Sequence, residues 1–270
     1  PLAVRESADD FAFIIPMLKG WLSVARGRDS NVSGQALLTS GLTAYYSDDQ
    51  IIYFDLADGN IAQAKLRLRN FRGYDEPHGR FLAGHAMGEF SRGGDAEFAS
   101  ALGRQIGLDV GNYATSRVTA ELGLAMLFTR LGLALDEQRQ PQKGLLFARI
   151  ATWLAPLSDA AKLGLAELMD RQDLDGKASA LLKGIAPNSP FWVQAVVNQT
   201  RLVATPEEAV AIARTASEAQ PASSQLKLLY AQSLEQADRR DLAVTVYRSL
   251  LDQDAGRSNG ARRAVYLLLL

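Results

Sequence analysis

His78 and His85 are the only histidines in the chain, and His85 stands four residues before Glu89. On a helix that interval puts two metal-binding side chains one turn apart on one face. Zinc requires three or four ligands with hydrogen bonds behind them. The sequence fixes no third ligand, so the plainer expectation is one loop histidine and one helix-packing histidine. No metal or other cofactor is assigned.

Asp48, Asp49, Asp55 and Asp58 form an acidic group beside Tyr45, Tyr46 and Tyr53. Paired carboxylates can serve as acid and base in glycoside hydrolysis when a cleft holds them at the required separation. The simpler expectation is that Asp48 caps a helix beginning near Ser47 and that Asp58-Gly59-Asn60 forms a turn. No Gly-x-Ser-x-Gly elbow and no phosphate-cradling glycine loop occurs. The expectation is a chain that is not itself an enzyme. Lys65, Arg69 and Arg72 share one helix face, with Arg67 on another. Such a row can attract an anionic headgroup, peptide or polysaccharide, but a solvated outer face is the plainer reading.

The elements that carry these residues follow from a period. Gly144, Ala178, Ala209 and Ala243 recur at intervals of 34, 31 and 34. Twelve residues before them stand Gly132, Ala166, Val197 and Ala231, and twelve after come Pro156, Pro190, Pro221 and Ala255. Small residues at two fixed places in such a period mark stacked helix pairs, because only small side chains let two helix axes cross closely. Each proline is expected to end a second helix. The expected pairs are 116–137 with 143–154, 159–169 with 177–185, 191–202 with 207–219, and a pair around Leu226–Leu234 and Leu242–Leu250. Thr205 should cap the helix that Pro206 opens. Earlier pairs keep a looser register: 11–25 with 32–42, 47–57 with 61–72, and 79–90 with 96–106. Ala64 and Ala99 take the small place in the last two.

A solenoid core grows along its axis, so 270 residues need not mean two ordinary domains. Hydrophobic content of 47% suffices for that core. A net charge of −1 offers no basic face for nucleic acid. Cysteine is absent, which excludes disulfides and thiolate metal sites. No run approaches the roughly 20 apolar residues of a membrane span. Pro1 at the start and four leucines at the end, 267–270, suggest a piece of a longer protein.

Taken together, these positions resemble the tetratricopeptide repeat family. The match lies at Gly132, Gly144 and Pro156; Ala166, Ala178 and Pro190; Ala209 and Pro221; Ala231, Ala243 and Tyr247. It covers 116–256 closely and 11–107 loosely, departs at Val197, and mostly lacks the family's first-helix aromatic. Leu131–Pro156 and Ser189-Pro190-Phe191-Trp192 are similar to alphaproteobacterial repeat proteins exported to the periplasm and linked to envelope integrity.

The resemblance implies an all-α, right-handed α-solenoid of about six to seven helix pairs. Divergent repeats would span 1–115, closer repeats 116–256, and a truncated further helix 257–270. It also implies a concave wall built from first helices. On this chain that wall comprises Tyr46, Asp49 and Tyr53, then Glu167, then Gln194, Asn198 and Arg201, and finally Gln232 and Glu235. Amides such as Gln194, Asn198 and Gln232 can bond an extended backbone, and tyrosines offer amphipathic contact area. The lysine-and-asparagine clamp some members use for C-terminal carboxylates is not reproduced. The implied function is a periplasmic scaffold for a protein or extended peptide. The alternative is a repeat module of a larger envelope enzyme or polysaccharide-export protein.

Overall fold

A computed structural model of the chain describes residues 11–28, 30, 41–107 and 117–253, without the side chains of 41–44, 252 and 253. The expected first-pair helix 32–42 falls outside this set except for its last two residues, and 257–270 falls outside it entirely. Among the described residues there are thirteen α-helices and no strand. A 3-10 turn at Ala12–Ile14 leads into α1 (Ile15–Ala25). There follow α2 (Gly41–Ala57) and α3 (Ile61–Asn70), α4 (Pro77–Arg92) and α5 (Ala96–Gln105), then α6 (Ala120–Glu137) and α7 (Pro141–Leu154). The chain continues through α8 (Asp159–Asp170) and α9 (Asp175–Lys183), α10 (Trp192–Leu202) and α11 (Pro206–Ala219), and α12 (Ser224–Gln236) and α13 (Arg240–Gln253). No helix among the described residues is long and apolar enough to cross a membrane.

One turn closes five of these pairs. Gly59, Gly94, Arg139, Asp173 and Asp238 all adopt positive φ, between 56° and 82°. In each case the next residue's N–H reaches back to a carbonyl five residues earlier: Asn60 to Asp55, Asp95 to Phe90, Gln140 to Leu135, Leu174 to Met169 and Arg239 to Leu234. This left-handed termination satisfies carbonyls at the end of the first helix. Every one of these residues lies five positions before a small residue, namely Ala64, Ala99, Gly144, Ala178 and Ala243. The register proposed for the earlier pairs is thus matched by their backbone. The sixth turn differs. Thr205 caps α11 by accepting from the Glu208 N–H at 3.3 Å, and Pro206 occupies its first turn.

Helix ends follow local chemistry. Ala155 and Gln220, which precede Pro156 and Pro221, leave helical geometry at ψ 73° and 75°, as a following proline requires. Pro190 does not play that part. α9 already stops at Lys183 with Gly184 as its cap, six residues before Pro190.

The chain forms two compact units, Pro1–Leu168 and Met169–Leu270. In the second, successive helices pack in chain order from α9 to α13, and α10 also touches α12. Ala231, Leu234, Ala243, Tyr247 and Leu250 form one core there with Val210. In the first unit α6 and α7 cross closely. A Cβ on Gly144 would sit 2.7 Å from the Gly132 carbonyl oxygen, and one on Gly132 would sit 2.9 Å from that of Gly144. The first unit also departs from chain-order packing, because α1 and α2 both lie against α6. Trp21 of α1 is fully buried, and its ring occupies the space a side chain at Gly123 would need.

Gly144→Ala and Ala243→Leu should each lower stability by about 1–3 kcal/mol, because added volume forces a tight crossing apart. Urea unfolding measures this, and changes within error at both positions would contradict the crossings described.

Candidate functional site

Two of the four aspartates, Asp48 and Asp49, are held by a residue with no apparent role in the sequence. Arg130 of α6 is only 5% exposed. Its Nη1 donates to Asp48 Oδ1 at 2.6 Å and to Asp49 Oδ1 at 2.5 Å, and its Nη2 donates to the Tyr45 carbonyl at 2.6 Å. The guanidinium also lies 4.8 Å from the Tyr45 ring centre and 5.2 Å from that of Tyr46, within cation–π range. Burial pushes the Asp49 carboxyl up to about 6, helped by Asp48 and opposed by Arg130. Burial also works against the charge on Arg130, but the two aspartates outweigh it and hold the guanidinium above its ordinary value.

The expected cap at Asp48 is corrected by this geometry. α2 begins at Gly41, so Asp48 and Asp49 lie mid-helix and serve an ion cluster instead. Asp55 accepts from Arg67 Nε at 2.7 Å, and Asp58 accepts from the Ser30 hydroxyl at 2.7 Å. Each of the four aspartates is therefore engaged by a cation or a donor. Asp48 and Asp49 converge on one guanidinium, whereas glycoside hydrolysis needs two carboxyls facing each other across a cleft.

The histidines point elsewhere. His85 is 2% exposed, with its Nδ1 3.0 Å from the Tyr53 hydroxyl, and its ring also bonds the Phe81 carbonyl. Glu89 turns to the Val118 N–H at 2.7 Å and to Arg92 at 2.8 Å, so His85 and Glu89 do not converge. Among the described residues no group of three His, Cys, Asp or Glu side chains is placed to hold a metal ion. In the basic row, Lys65 bonds Asp95 and lies over Phe98, Arg69 lies 5.7 Å from the same ring, and Arg72 falls beyond the end of α3. The row is mixed in charge, not a cationic strip.

Of the wall residues implied by the resemblance, Tyr46, Asp49 and Tyr53 are core residues at 5%, 1% and 0% exposure. That placement on an accessible wall is corrected: α1 and α6 cover this part of α2, so these side chains offer no surface to a partner. Glu167 is half-buried. In the second unit Gln194 is exposed and donates to Asn198 Oδ1 at 3.0 Å, while Asn198 is itself buried. Arg201 is exposed and pairs with Asp170 at 2.9 Å. Glu235 accepts from the Tyr247 hydroxyl at 3.1 Å.

Arg201 and Gln232 line one open depression of about 590 Å³ between α10, the 203–206 turn and α12. Thr200, Ser233 and Gln236 join them, with Val197 and Leu229 supplying apolar wall. Gln194, Asn198 and Glu235 are not among its lining residues. The sequence reading missed Thr200, Ser233 and Gln236. Each is next to an expected wall position, and the available signal was their polarity on helices with apolar stripes. The depression offers one cation and two amides beside apolar surface, with three hydroxyl residues, Thr200, Thr205 and Ser233, in its lining. That set can hydrogen-bond a peptide backbone and pair with one carboxylate.

No protein-family model and no curated protein sequence matches the chain.

Replacing Arg130 with methionine should cost about 3–5 kcal/mol, because Asp49 would remain buried without its counter-ion. Adding Asp49→Leu should recover a large part of that loss. Denaturant unfolding of both variants checks this, and an Arg130→Met effect no larger than that of a surface substitution would contradict it.

Proposed function

We propose that this chain is a tetratricopeptide-like scaffold, without catalytic activity of its own, that holds an extended peptide or a protein partner. Its helix pairs stack as a right-handed α-solenoid, and the chain works in the bacterial periplasm in maintenance of the cell envelope. The five equivalent turns support the repeat reading. The likeness of Leu131–Pro156 and Ser189–Trp192 to exported repeat proteins supports the location.

The observation that carries the binding reading is the depression lined by Arg201 and Gln232. α10 and α12 supply most of its wall, so little conformational freedom is lost on their side when a partner docks. Arg201 is 64% exposed and its pairing with Asp170 is a surface ion pair, which contributes little stability and exchanges readily for another carboxylate. The partner this favours is an extended segment with an acidic side chain beside an apolar one. A single short groove contact supports an affinity of about micromolar order.

Fluorescence anisotropy with labelled acidic–apolar peptides tests this. The Arg201→Ala, Gln232→Ala double variant should bind roughly tenfold or more weakly, the loss of about one charge-assisted hydrogen bond. Equal affinity for wild type and double variant would remove this depression from consideration.

A further inference from the structure

The geometry points to an acid-sensitive clasp in the first unit: protonation of His85 and His78 releases α4 from α2. Both histidines lie on α4, seven residues apart and so near one face of the helix. His85 reaches α2 directly, at Tyr53, and His78 stands at the start of α4 with its ring against Phe71. His78 also lies within the fields of Arg130 and Asp48. An imidazolium is a second cation wherever it forms here, and the interface is arranged for neutral rings.

The groups facing each ring define this environment. His85 is buried against the neutral Tyr53 hydroxyl and the Phe81 carbonyl, with the charge of Arg92 further along its own helix. Glu89, the nearest acid on that helix, is held by Arg92 and the Val118 N–H. His78 has Arg130 from α6, Asp48 from α2 and Glu76 just before its own helix. Its Nε2 is buried without a hydrogen-bond partner, and the Phe71 ring stands edge-on beside it. From α5 the packed residues Phe98, Ala99 and Leu102 are apolar, and Lys65 of α3, near Phe90, is bonded to Asp95. The two aspartates that could neutralise an imidazolium are both bound to Arg130.

The pH window follows from the direction of the shifts. Burial, first, and then Arg92 for His85 or Arg130 for His78, lower both imidazoles from 6.5 to about 4. A depressed histidine favours the closed state fully above pH 6.5 and loses that contribution as pH falls toward 4. Each histidine would shift the opening equilibrium roughly thirtyfold at pH 5 if opening restores its ordinary affinity for protons. Asp49 acts in the opposite sense. Its raised carboxyl takes up a proton near pH 6 while still closed, which favours closure by roughly tenfold over the same range. The two histidines outweigh the one carboxylate.

Hydrogen exchange on the whole chain at pH 7.5 and pH 5.0, corrected for intrinsic exchange rates, reads the opening directly. Protection of Pro77–Arg92 and Gly41–Ala57 should fall at least tenfold at pH 5.0, while Pro206–Ala219 in the second unit stays unchanged. The His78→Gln, His85→Gln double variant should lose that pH dependence. Unchanged protection in wild type, or an equal fall in the double variant, would overturn the proposal. Should the double variant fail to fold, imidazole titration of the wild type by NMR decides. His85 staying neutral until α4 loses protection supports the clasp, and its protonation near pH 6.5 with α4 still protected overturns it.

Discussion

Five of the six helix pairs depend on how closely two consecutive helices can approach after a left-handed turn. A residue at positive φ reverses the chain, and five residues later comes a small, buried residue, Ala64, Ala99, Gly144, Ala178 or Ala243. Gly132 and Gly144 show the limiting case, where even one added methyl group would reach a facing backbone carbonyl. The turn and the small residue are one constraint, because the turn fixes which residue arrives at the crossing. Only two of the five turn positions are glycines. At Arg139, Asp173 and Asp238 the chain accepts a conformation that ordinary L-residues disfavour.

The two units use this constraint differently. In the second, contacts run from each helix to its neighbours in the chain, the arrangement in which stability is close to a sum of local parts. In the first, Arg130 joins residues 82 and 81 positions away in sequence, and Trp21 donates from Nε1 to Gln50 Oε1 at 2.8 Å. A buried guanidinium with two carboxylates is no simple gain in stability, since desolvation offsets much of the attraction. Its consequence is cooperative: removing one member leaves the others charged in a low-dielectric interior. The depression that could hold a peptide lies in the unit that lacks this cross-link.

From α3 onward helix identity and the small positions were legible in the sequence because each has a local cause, whereas α2 runs unbroken from Gly41 where a break before Ser47 was expected. Thr205-Pro206 starts a helix, Pro156 and Pro221 end helices through the residue before them, and Ala64 and Ala99 fall at the same interval as the later repeats. The buried site was not legible. Nothing near Arg130 in sequence shows that its partners are Asp48 and Asp49, and a repeat register assigns Tyr46 and Tyr53 to a concave wall, whereas both are buried where α1 and α6 pack on α2. Pro190 misled for the opposite reason: Gly184 had already ended that helix. In the second unit Arg201 and Gln232 line a common depression, whereas Asn198 is buried.

Thermal unfolding of single glycine substitutions tests the shared turn most directly. Arg139, Asp173, Asp238 and Ala204 are all exposed, so replacing them removes little packing. Arg139→Gly, Asp173→Gly and Asp238→Gly should leave stability equal or raise it by about 1 kcal/mol, because glycine relieves the left-handed cost. Ala204→Gly, in the one turn of a different kind, should lower stability through the added freedom of the unfolded chain. A loss at all four positions of similar size would contradict a common left-handed turn as the basis of the repeats.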